Sequence, residues 1–384
     1  MAQKMTFPDA PTMRRNRFSV SLTFFICGFI YANWSTRLPR IQDTFALSNS
    51  HLGLVLLCVA VGSLCAMPLT GWLISKKGSK LTAVISLVSF SLILIVIPFL
   101  DVTWQLVVAF YWLGFFMGSL DVSMNAQAVL VEQRYQKPIL SSFHAFFSVG
   151  VMIGALSSSF FAKYLDTLQA HFVIVSLLCV GLSLVVIPLL IDDSDAAQSS
   201  EGSHFLLPNK SMVWLGIIAF CAMLAEGSIA DWSTNYLENS LKTHAYIAPI
   251  GLSIFSGTMT IGRFLGDKAR AYFGDNKLLI MSSLMATVGL FFALAFNSYW
   301  LFFVGISAVG LGLATVVPIV FSQAGNNKNL PPGIGLAMVT TLGYLGFLVG
   351  PPIIGFLADW QDLRFGLFFV VFLLAVLSVL SKFK

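Results

Sequence analysis

Residues 32–36 of the chain read Ala-Asn-Trp-Ser-Thr, and residues 230–234 read Ala-Asp-Trp-Ser-Thr. Gly53-Leu54 follows the first copy at the same distance as Gly251-Leu252 follows the second. Each match is weak alone, but the shared order and the constant offset of 198 residues (230 minus 32) are typical of an internal repeat. The repeat predicts that the chain consists of two related halves.

A second pair of motifs extends the repeat. Gly150-x-x-x-Gly154 matches Gly346-x-x-x-Gly350 at an offset of 196 residues (346 minus 150). Small residues at this spacing let membrane helices approach closely, and Pro351 after the second pair favours a local bend. We therefore expect these four glycines and Pro351 to act in gating, as parts of helices that rock against each other. Close packing without motion is the alternative.

The composition around these motifs is that of a membrane protein. The 384 residues are 57% hydrophobic and 10% charged, with a mean hydropathy of +0.85. Soluble domains carry roughly 25% charged residues, and disordered chains are poor in hydrophobic residues, so both classes are excluded. Twelve continuously apolar segments are close to the ~20 residues that a membrane helix needs, which also argues against a β-barrel. They cover residues 18–36, 51–75, 81–100, 103–131, 140–164, 170–191, 211–237, 248–270, 278–296, 299–322, 333–358 and 364–381. The predicted fold is an all-α bundle of twelve transmembrane helices in two pseudo-symmetric halves of six.

The segment between the sixth and seventh spans divides the chain. Residues 192–210 are acidic and rich in Ser, which is typical of a flexible linker. We expect an N-terminal six-helix half over residues 1–191, a cytoplasmic linker over 192–210 and a C-terminal six-helix half over 211–384.

The basic residues predict the orientation in the membrane. With the N-terminus inside, 17 of the 22 Lys and Arg residues fall in cytoplasmic segments and 5 fall outside. The first apolar segment is too long for a signal-peptide core and lacks a small-residue cleavage site, so we expect it to be retained. The chain is therefore predicted to be a multi-pass protein of the cell inner membrane with both termini in the cytoplasm.

Several classes of function are not supported by any motif. The five cysteines lie in apolar runs without CxxC spacing and are interpreted as small buried hydrophobic residues. The sequence contains no GxxxxGK[ST] or GxGxxG motif and no cluster typical of catalysis, metal binding or nucleic-acid binding. We expect no enzyme activity, cofactor, metal or nucleic-acid partner. A channel or a non-transporting receptor remains the competing class.

Two loop motifs resemble a known family. Gly71-Trp-Leu-Ile-Ser-Lys-Lys-Gly-Ser-Lys80 is similar to the cytoplasmic loop signature of the major facilitator superfamily, with Ser75 in place of its acidic residue. The stretch Gly262-Arg-Phe-Leu-Gly-Asp-Lys268, predicted between spans eight and nine, keeps an Asp. The resemblance implies two parallel six-helix halves with the substrate site between them near the membrane midplane. The missing acid puts a charge latch in the first half in doubt.

Further motifs resemble the bacterial MosC-like (rhizopine transporter-like) branch of this family. They are Ala32–Arg37, Asp121-Val-Ser-Met-Asn-Ala-Gln127, Ser141-Ser-Phe-His144, Glu226-Gly-Ser-Ile-Ala-Asp-Trp-Ser233 and Gly350-Pro-Pro352. Substrates are poorly defined in that branch. The resemblance implies that spans one, four, seven and ten line the cavity.

Ionisable residues at membrane depth are candidates for function. Asp121 lies near the middle of span four, and Asn125 shares its helix face. We expect both to contact substrate and Asp121 to exchange a proton, with a structural anchor as the alternative for Asp121. Asp231 and Glu226 in span seven are further proton-coupling candidates, although they lie about 140° apart around the helix.

The repeat adds more candidate substrate ligands. Asn33 and Arg37 share one face of span one, as Asp231 and Asn235 share one face of span seven. These faces are expected to meet across the cavity, with an Arg37–Asp231 ion pair as one arrangement and Arg37 snorkelling to the interface as the other. The remaining candidate substrate ligands are Trp34, Trp232, Gln127 and Gln323. For the two tryptophans the alternative is an interfacial belt.

Aromatic rings beside amides and carboxylates suit a sugar or polyol. The sequence therefore predicts a monomeric secondary transporter in membrane lipid that moves a small polar organic solute, such as a sugar, polyol or inositol derivative, with proton coupling. An efflux pump for amphipathic compounds is the alternative transporter.

Overall fold

The structure is a computed structural model that describes residues 10–137, 139–165, 167–194, 210–325 and 334–382. Fourteen α-helices form the described part of the chain, which contains no β-strand. They are α1 (Ala10–Ser35), α2 (Leu38–Thr44), α3 (Asn49–Lys77), α4 (Ser79–Val96), α5 (Thr103–Tyr135), α6 (Leu140–Tyr164), α7 (Leu168–Val186), α8 (Lys210–Asn235), α9 (Ala248–Phe273), α10 (Asp275–Ala295), α11 (Tyr299–Leu313), α12 (Val316–Gly325), α13 (Ile334–Trp360) and α14 (Leu363–Leu380). Most of the predicted linker, residues 195–209, lies outside the described residues.

The predicted membrane spans correspond to long helices. In the described part of the chain, eleven helical segments are long and apolar enough to cross a membrane by length and composition. The remaining long helix, α9, is less apolar because Ser, Thr, Gly and Arg263 interrupt its hydrophobic residues. The short helix α2 joins the first two spans. The tenth span is divided into α11 and α12 by a turn at residues 314–315, a break that the hydrophobic pattern does not reveal.

The two groups of six spans have matching internal contacts. In the first group α6 packs along α1, and in the second α13 packs along α8. Glycines allow both contacts: a Cβ added at Gly150 would meet the backbone carbonyl of Phe25, and one added at Gly346 would lie 2.5 Å from that of Phe220. The repeat in the sequence is therefore a repeat in packing.

This packing changes the interpretation of the glycine motifs. Gly150 and Gly154 face α1, and Gly346 and Gly350 face α8. All four pack helices within one group rather than between the groups. Their gating role stays a prediction, and close packing accounts for the contacts that they make.

The most extensive contacts between the two groups are made by α3 with α13 and by α6 with α9, and α2 also packs on α8. Twelve crossings place the start of α1 and the end of α14 at one end of the bundle, which we call the proximal end. The opposite end is the distal end. At the distal end α3 begins and α13 finishes, so their first and last turns meet there.

Candidate functional site

A hydrogen bond between the two groups joins α1 to α8. The Tyr31 hydroxyl donates to Asp231 Oδ1 at 2.9 Å. Asp231 is only 9% exposed, so its carboxylate is largely withdrawn from water. Tyr31 therefore satisfies a carboxyl group of the other group of helices, as buried polar groups require.

Asp121 forms a second contact between the groups. Asn125 Nδ2 donates to Asp121 Oδ1 at 3.1 Å, as expected for residues on one helix face. The Tyr344 hydroxyl on α13 lies 3.5 Å from Asp121 Oδ2, at the outer limit of a hydrogen bond. Asp121, Asn125 and Tyr344 are all half-buried. Each of the two predicted aspartates thus faces a tyrosine from the opposite group.

A third polar contact is an ion pair on α8 and α9. Arg263 Nη2 on α9 is 3.2 Å from Glu226 Oε1 on α8, and both side chains are 24% exposed. Arg263 Nη1 also donates to Ser148 Oγ on α6 at 2.7 Å. Arg263 therefore connects the two groups of helices and compensates the charge of Glu226.

Together these residues form one polar cluster, which we call the central cluster. Glu226 lies within electrostatic range of both Tyr31 and Tyr344, which connects the three contacts. Exposure increases from Asp231 to Glu226 and then to His144, an exposed residue one turn before Ser148 on α6. His144 is on the proximal side of Ser148, so exposure along this series increases toward the proximal end. Its members are Tyr31, Asp121, Asn125, Ser148, Glu226, Asp231, Arg263 and Tyr344.

Helix ends close the distal end of the bundle. Asp359 at the end of α13 accepts hydrogen bonds from the backbone N–H groups of Asn49 (2.9 Å) and Ser50 (2.8 Å) at the start of α3. A carboxylate at a helix N-terminus is favoured by the unpaired N–H groups and the helix dipole. A Cβ added at Gly53 would lie 2.7 Å from the Pro351 carbonyl oxygen, which shows how closely the two backbones approach.

The second seam at this end joins α6 to the segment before α9. Ser159 Oγ donates to the Tyr246 carbonyl oxygen, and further in, Ser253 Oγ donates to the Met152 carbonyl oxygen at 3.1 Å. We call the α3–α13 and α6–α9 contacts at this end the distal seal. Every hydrogen bond described between the two groups belongs to this end or to the central cluster. The predicted gating residue Pro351 contributes its carbonyl here, within a helix that continues through it.

The structure places Asn33 away from the central cluster. Asn33 is fully buried, and its Oδ1 is 2.8 Å from His171 Nε2 and accepts from Ser157 Oγ at 3.1 Å. Its Nδ2 donates to the Phe29 carbonyl at 2.8 Å. The hydrogen-bonding groups of this predicted substrate ligand are therefore used to join α1, α6 and α7.

We expect Asn33→Ala to lower stability rather than substrate affinity. The change would leave the buried His171 without the partner at its Nε2, which costs about 1–3 kcal/mol, whereas Ser157 Oγ keeps the Gly154 carbonyl oxygen as an acceptor at 2.7 Å. Thermal unfolding of the detergent-solubilised variant should show a lower Tm, while the substrate affinity of the folded fraction should be unchanged. A large loss of affinity at an unchanged Tm would restore Asn33 to the binding site.

Both predicted tryptophan ligands are core residues. Trp34 is 1% exposed and packs edge-on against Tyr31 and Phe110, with ring centroids 5.3 and 5.7 Å apart. Trp232, at the equivalent position of the repeat, is 0% exposed. Neither the substrate-stacking interpretation nor the interfacial belt fits these positions, because both require an accessible ring.

Three further candidates are held by other contacts. Gln127 is fully buried and donates to Ser79 Oγ at 2.8 Å and to the Ile191 carbonyl at 2.7 Å, which ties α5 to its neighbours. Asn235 is bonded to Gln42 of α2 near the distal end. These two predicted ligands act in packing between helices. Gln323, on α12, is half-buried and its Oε1 has no hydrogen-bond partner among the described residues.

Arg37 is buried where α1 ends and α2 begins, at 5% exposure. It therefore does not snorkel to the interface. It lies within electrostatic range of Glu238 and His171. The contact described at Asp231 comes from Tyr31, and the Arg37–Asp231 ion pair stays a prediction.

Asp193 supplies an acidic group near the loop that lacks one. Its Oδ1 and Oδ2 accept from the Ser79 backbone N–H at 2.8 and 2.9 Å, and Oδ2 accepts from Ser79 Oγ at 2.7 Å. The carboxylate thus caps the start of α4, next to the position where Ser75 replaces the family acid. Asp193 follows the sixth span, so its place could not be inferred from the loop motif.

The free cysteines agree only partly with the sequence interpretation. Cys27, Cys179 and Cys221 are buried, whereas Cys58 is half-buried and Cys65 is exposed. No group of three or more His, Cys, Asp or Glu side chains arranged to hold a metal ion occurs in the part of the chain that the structure describes.

Four residues of the central cluster are not among the candidates from the sequence: Tyr31, Ser148, Arg263 and Tyr344. Tyr31 and Tyr344 lie in apolar segments, where a single Tyr carries no distinctive signal. Arg263 was counted as a basic residue of a cytoplasmic loop, but α9 continues to Phe273 and places it inside the bundle. The available signal was the length of predicted span eight, residues 248–270, which includes position 263.

Known proteins resemble this chain over nearly its whole length. A sequence profile of the Major Facilitator Superfamily matches residues 20–331. An uncharacterized MFS-type transporter of Yersinia pestis is 33% identical over 365 residues, covering 95% of this chain and 94% of that protein. Membrane protein MosC of Rhizobium meliloti is 30% identical over 373 residues, covering 95% and 89%. A crystal structure of a mutant of the nucleoside transporter NupG superposes with a TM-score of 0.78 at 15% identity, covering 96% of this chain and 99% of that chain.

The relatives of this chain that are named by their activity are transporters, and with its long apolar helices the chain is a multi-pass membrane transporter rather than an enzyme. The chain belongs to the Major Facilitator Superfamily and, within it, to the MosC-like branch. The fold and the family predicted from the sequence are thereby confirmed.

Proposed function

We propose that this protein is a secondary transporter that moves a small polar organic solute, such as a sugar, polyol or inositol derivative, across the bacterial inner membrane by alternating access. The observation that carries the proposal is the central cluster, to which both groups of helices contribute through Tyr31–Asp231, Tyr344–Asp121 and Arg263–Ser148. Hydroxyl, carboxyl and guanidinium groups in one place can bind several hydroxyl groups of one solute.

The distal seal supports alternating access. The two groups touch at the distal end and in the middle, and the central cluster becomes more exposed toward the proximal end. With both termini in the cytoplasm, as the basic residues predict, this arrangement is a cytoplasm-facing state. Movement of α3 against α13 and of α6 against α9 would open the other side.

We further propose that a proton moves with the solute. Asp121 and Asp231 face the central cluster, and their described partners are neutral Tyr and Asn side chains. Glu226 is paired with Arg263 instead, so it is the less suitable proton carrier. Each chain contains a whole cluster, and we expect the protein to act as a monomer.

Transport by purified protein in liposomes tests this function. Radiolabelled glucose, myo-inositol and an amphipathic dye should be offered with and without a pH gradient. Saturable uptake of a polar probe, with counterflow when the vesicles are preloaded, is the expected result. Conductance would indicate a channel, binding without flux a receptor, and movement of the dye alone an efflux pump, and each of these results would contradict the proposal.

The proposed orientation gives a separate prediction. In a variant whose five native cysteines are replaced by serine, single cysteines introduced at Ser199 in the linker and at Ala2 should react with a membrane-impermeant maleimide only after the cells are opened. A cysteine at Asp101, in the exposed connection between α4 and α5, should react in intact cells. The reverse pattern would overturn the orientation and, with it, the assignment of the cytoplasm-facing state.

A further inference from the structure

We propose that Arg263 is a substrate-binding residue whose guanidinium group binds acceptor oxygens of the solute, either two adjacent hydroxyl groups or a carboxylate, in exchange for its hydrogen bond to Ser148. This inference rests on the proposed transport function and specifies the chemistry that the site selects.

The first observation is the depth of Arg263 in the bundle. It lies ten residues before the end of α9 at Phe273 (273 minus 263), which is about 15 Å along the helix. Among the Lys and Arg residues that the structure describes, it is the farthest from a helix end. A cation so far inside a membrane helix is costly and typically serves a substrate or ion pathway.

The second observation is the remaining hydrogen-bonding capacity of the guanidinium. It has five N–H donors, of which one is directed to Ser148 Oγ at 2.7 Å and one to Glu226 Oε1 at 3.2 Å. The side chain is 24% exposed. Donors therefore remain on a group that solutes entering from the proximal end can reach.

The partners of Arg263 differ in how easily a ligand can replace them. Glu226 is on α8, in the same group of helices, and as a carboxylate it orients the guanidinium through charge as well as hydrogen bonding. Ser148 is on the opposite group and offers one neutral hydroxyl oxygen. Two oxygens in one plane match the guanidinium fork better than one hydroxyl does, so Ser148 is the partner that the solute replaces.

The charge of Arg263 sets the selectivity at its own position in the central cluster, which elsewhere contains the carboxyl groups of Asp121, Glu226 and Asp231. Next to Arg263, a protonated amine of the solute would meet a permanent positive charge, whereas hydroxyl or carboxylate oxygens would meet donors. His144, one turn before Ser148, also lies within electrostatic range of Arg263. Arg263 therefore favours solutes that present oxygen acceptors at this position.

Matched variants in liposomes test the inference. Uptake of myo-inositol, glucuronate and glucosamine should be measured for the wild type and for Arg263→Gln, Arg263→Lys and Ser148→Ala. Removal of a charged hydrogen-bond donor should raise the KM of the transported probe at least tenfold in Arg263→Gln. Arg263→Lys should recover part of this loss, because it keeps the charge without the planar fork. Ser148→Ala should lower the KM about twofold, because the solute no longer competes with the serine.

The outcomes separate the inference from the function on which it rests. Uptake of myo-inositol assigns Arg263 to a hydroxyl pair, and uptake of glucuronate assigns it to a carboxylate. An unchanged KM in both Arg263 variants, or wild-type uptake of glucosamine alone, would overturn the inference and leave transport intact. Failure of the wild type to move any probe would count against the proposed function and the inference together. Melting curves of the variants show whether a loss of uptake arises from misfolding. If Arg263→Gln does not fold, the comparison of KM between Arg263→Lys and the wild type decides.

Discussion

Asp231→Asn should abolish the accumulation of solute against its gradient while leaving exchange of solute across the membrane intact. Asn keeps the size of Asp and can still accept a hydrogen bond from Tyr31, which is 2.9 Å from Asp231 Oδ1 in the structure. It cannot take up or release a proton. With a pH difference of one unit, one coupled proton supports about a tenfold accumulation. In the variant, the concentration of solute inside the liposomes should only become about equal to the concentration outside.

The same reasoning applies to Asp121→Asn, because Asp121 has only neutral partners among the described contacts. Asp101→Asn is the matched control, since Asp101 is exposed in the connection between α4 and α5. The measurements are pH-driven uptake and counterflow in the same liposomes. If both variants still concentrate solute with normal pH dependence, the two aspartates are structural, and Glu226 becomes the next candidate for proton coupling.

Gly53→Leu should reduce transport at least tenfold without removing the binding site. A Cβ at this position lies 2.7 Å from the Pro351 carbonyl oxygen and 3.0 Å from Pro352 Cα. Both are backbone atoms that cannot turn aside, so α3 and α13 must separate and the distal seal cannot close. The transporter should remain open at the distal end and bind solute there without completing the cycle.

Gly181→Leu is the control for this prediction, because an added Cβ there meets no atom within 4 Å. Besides uptake, hydrogen exchange at the start of α3 should accelerate in Gly53→Leu, since the Asn49 and Ser50 amides would lose Asp359. Normal uptake, or an unaltered exchange rate with uptake lost, would show that this contact does not gate transport. The glycines at positions 150 and 346 are less suitable probes, because side chains there would disturb packing within one group.

The sequence was sufficient for the fold because hydrophobicity and repeats are carried by many residues at once. Long apolar runs form helices in lipid, because a helix satisfies its own backbone hydrogen bonds. The duplicated Ala-Asn/Asp-Trp-Ser-Thr motif marks equivalent positions, at which Trp34 and Trp232 are both buried. The single break at residues 314–315 was missed because it depends on local packing, which leaves the apolar run intact.

The candidate site was predicted less well than the fold. Helical spacing shows which residues share a helix face, but it does not show which neighbouring helix or cavity that face contacts. Asp121 and Asp231, selected because they are ionisable groups at membrane depth, both lie in the central cluster. The helix-face argument predicts that Asn33 faces the cavity, but α1 turns it toward His171, a buried partner that no motif connects with it. Arg263 was missed for the opposite reason, since a basic residue near the end of an apolar run is typical of a loop.

The two buried indoles make the protein a selective optical reporter. Five of its eight tryptophans, at positions 72, 104, 112, 300 and 360, are exposed on the bundle. A quencher dissolved in the lipid should reach those five and leave emission from Trp34 and Trp232. Trp214 is half-buried, so its emission should be quenched to an intermediate extent. Residual emission under quenching therefore comes mainly from the core of each group of helices. Trp34 packs against Tyr31, so the residual tryptophan emission should change when the Tyr31–Asp231 contact breaks. Conformational change can therefore be followed without an attached dye.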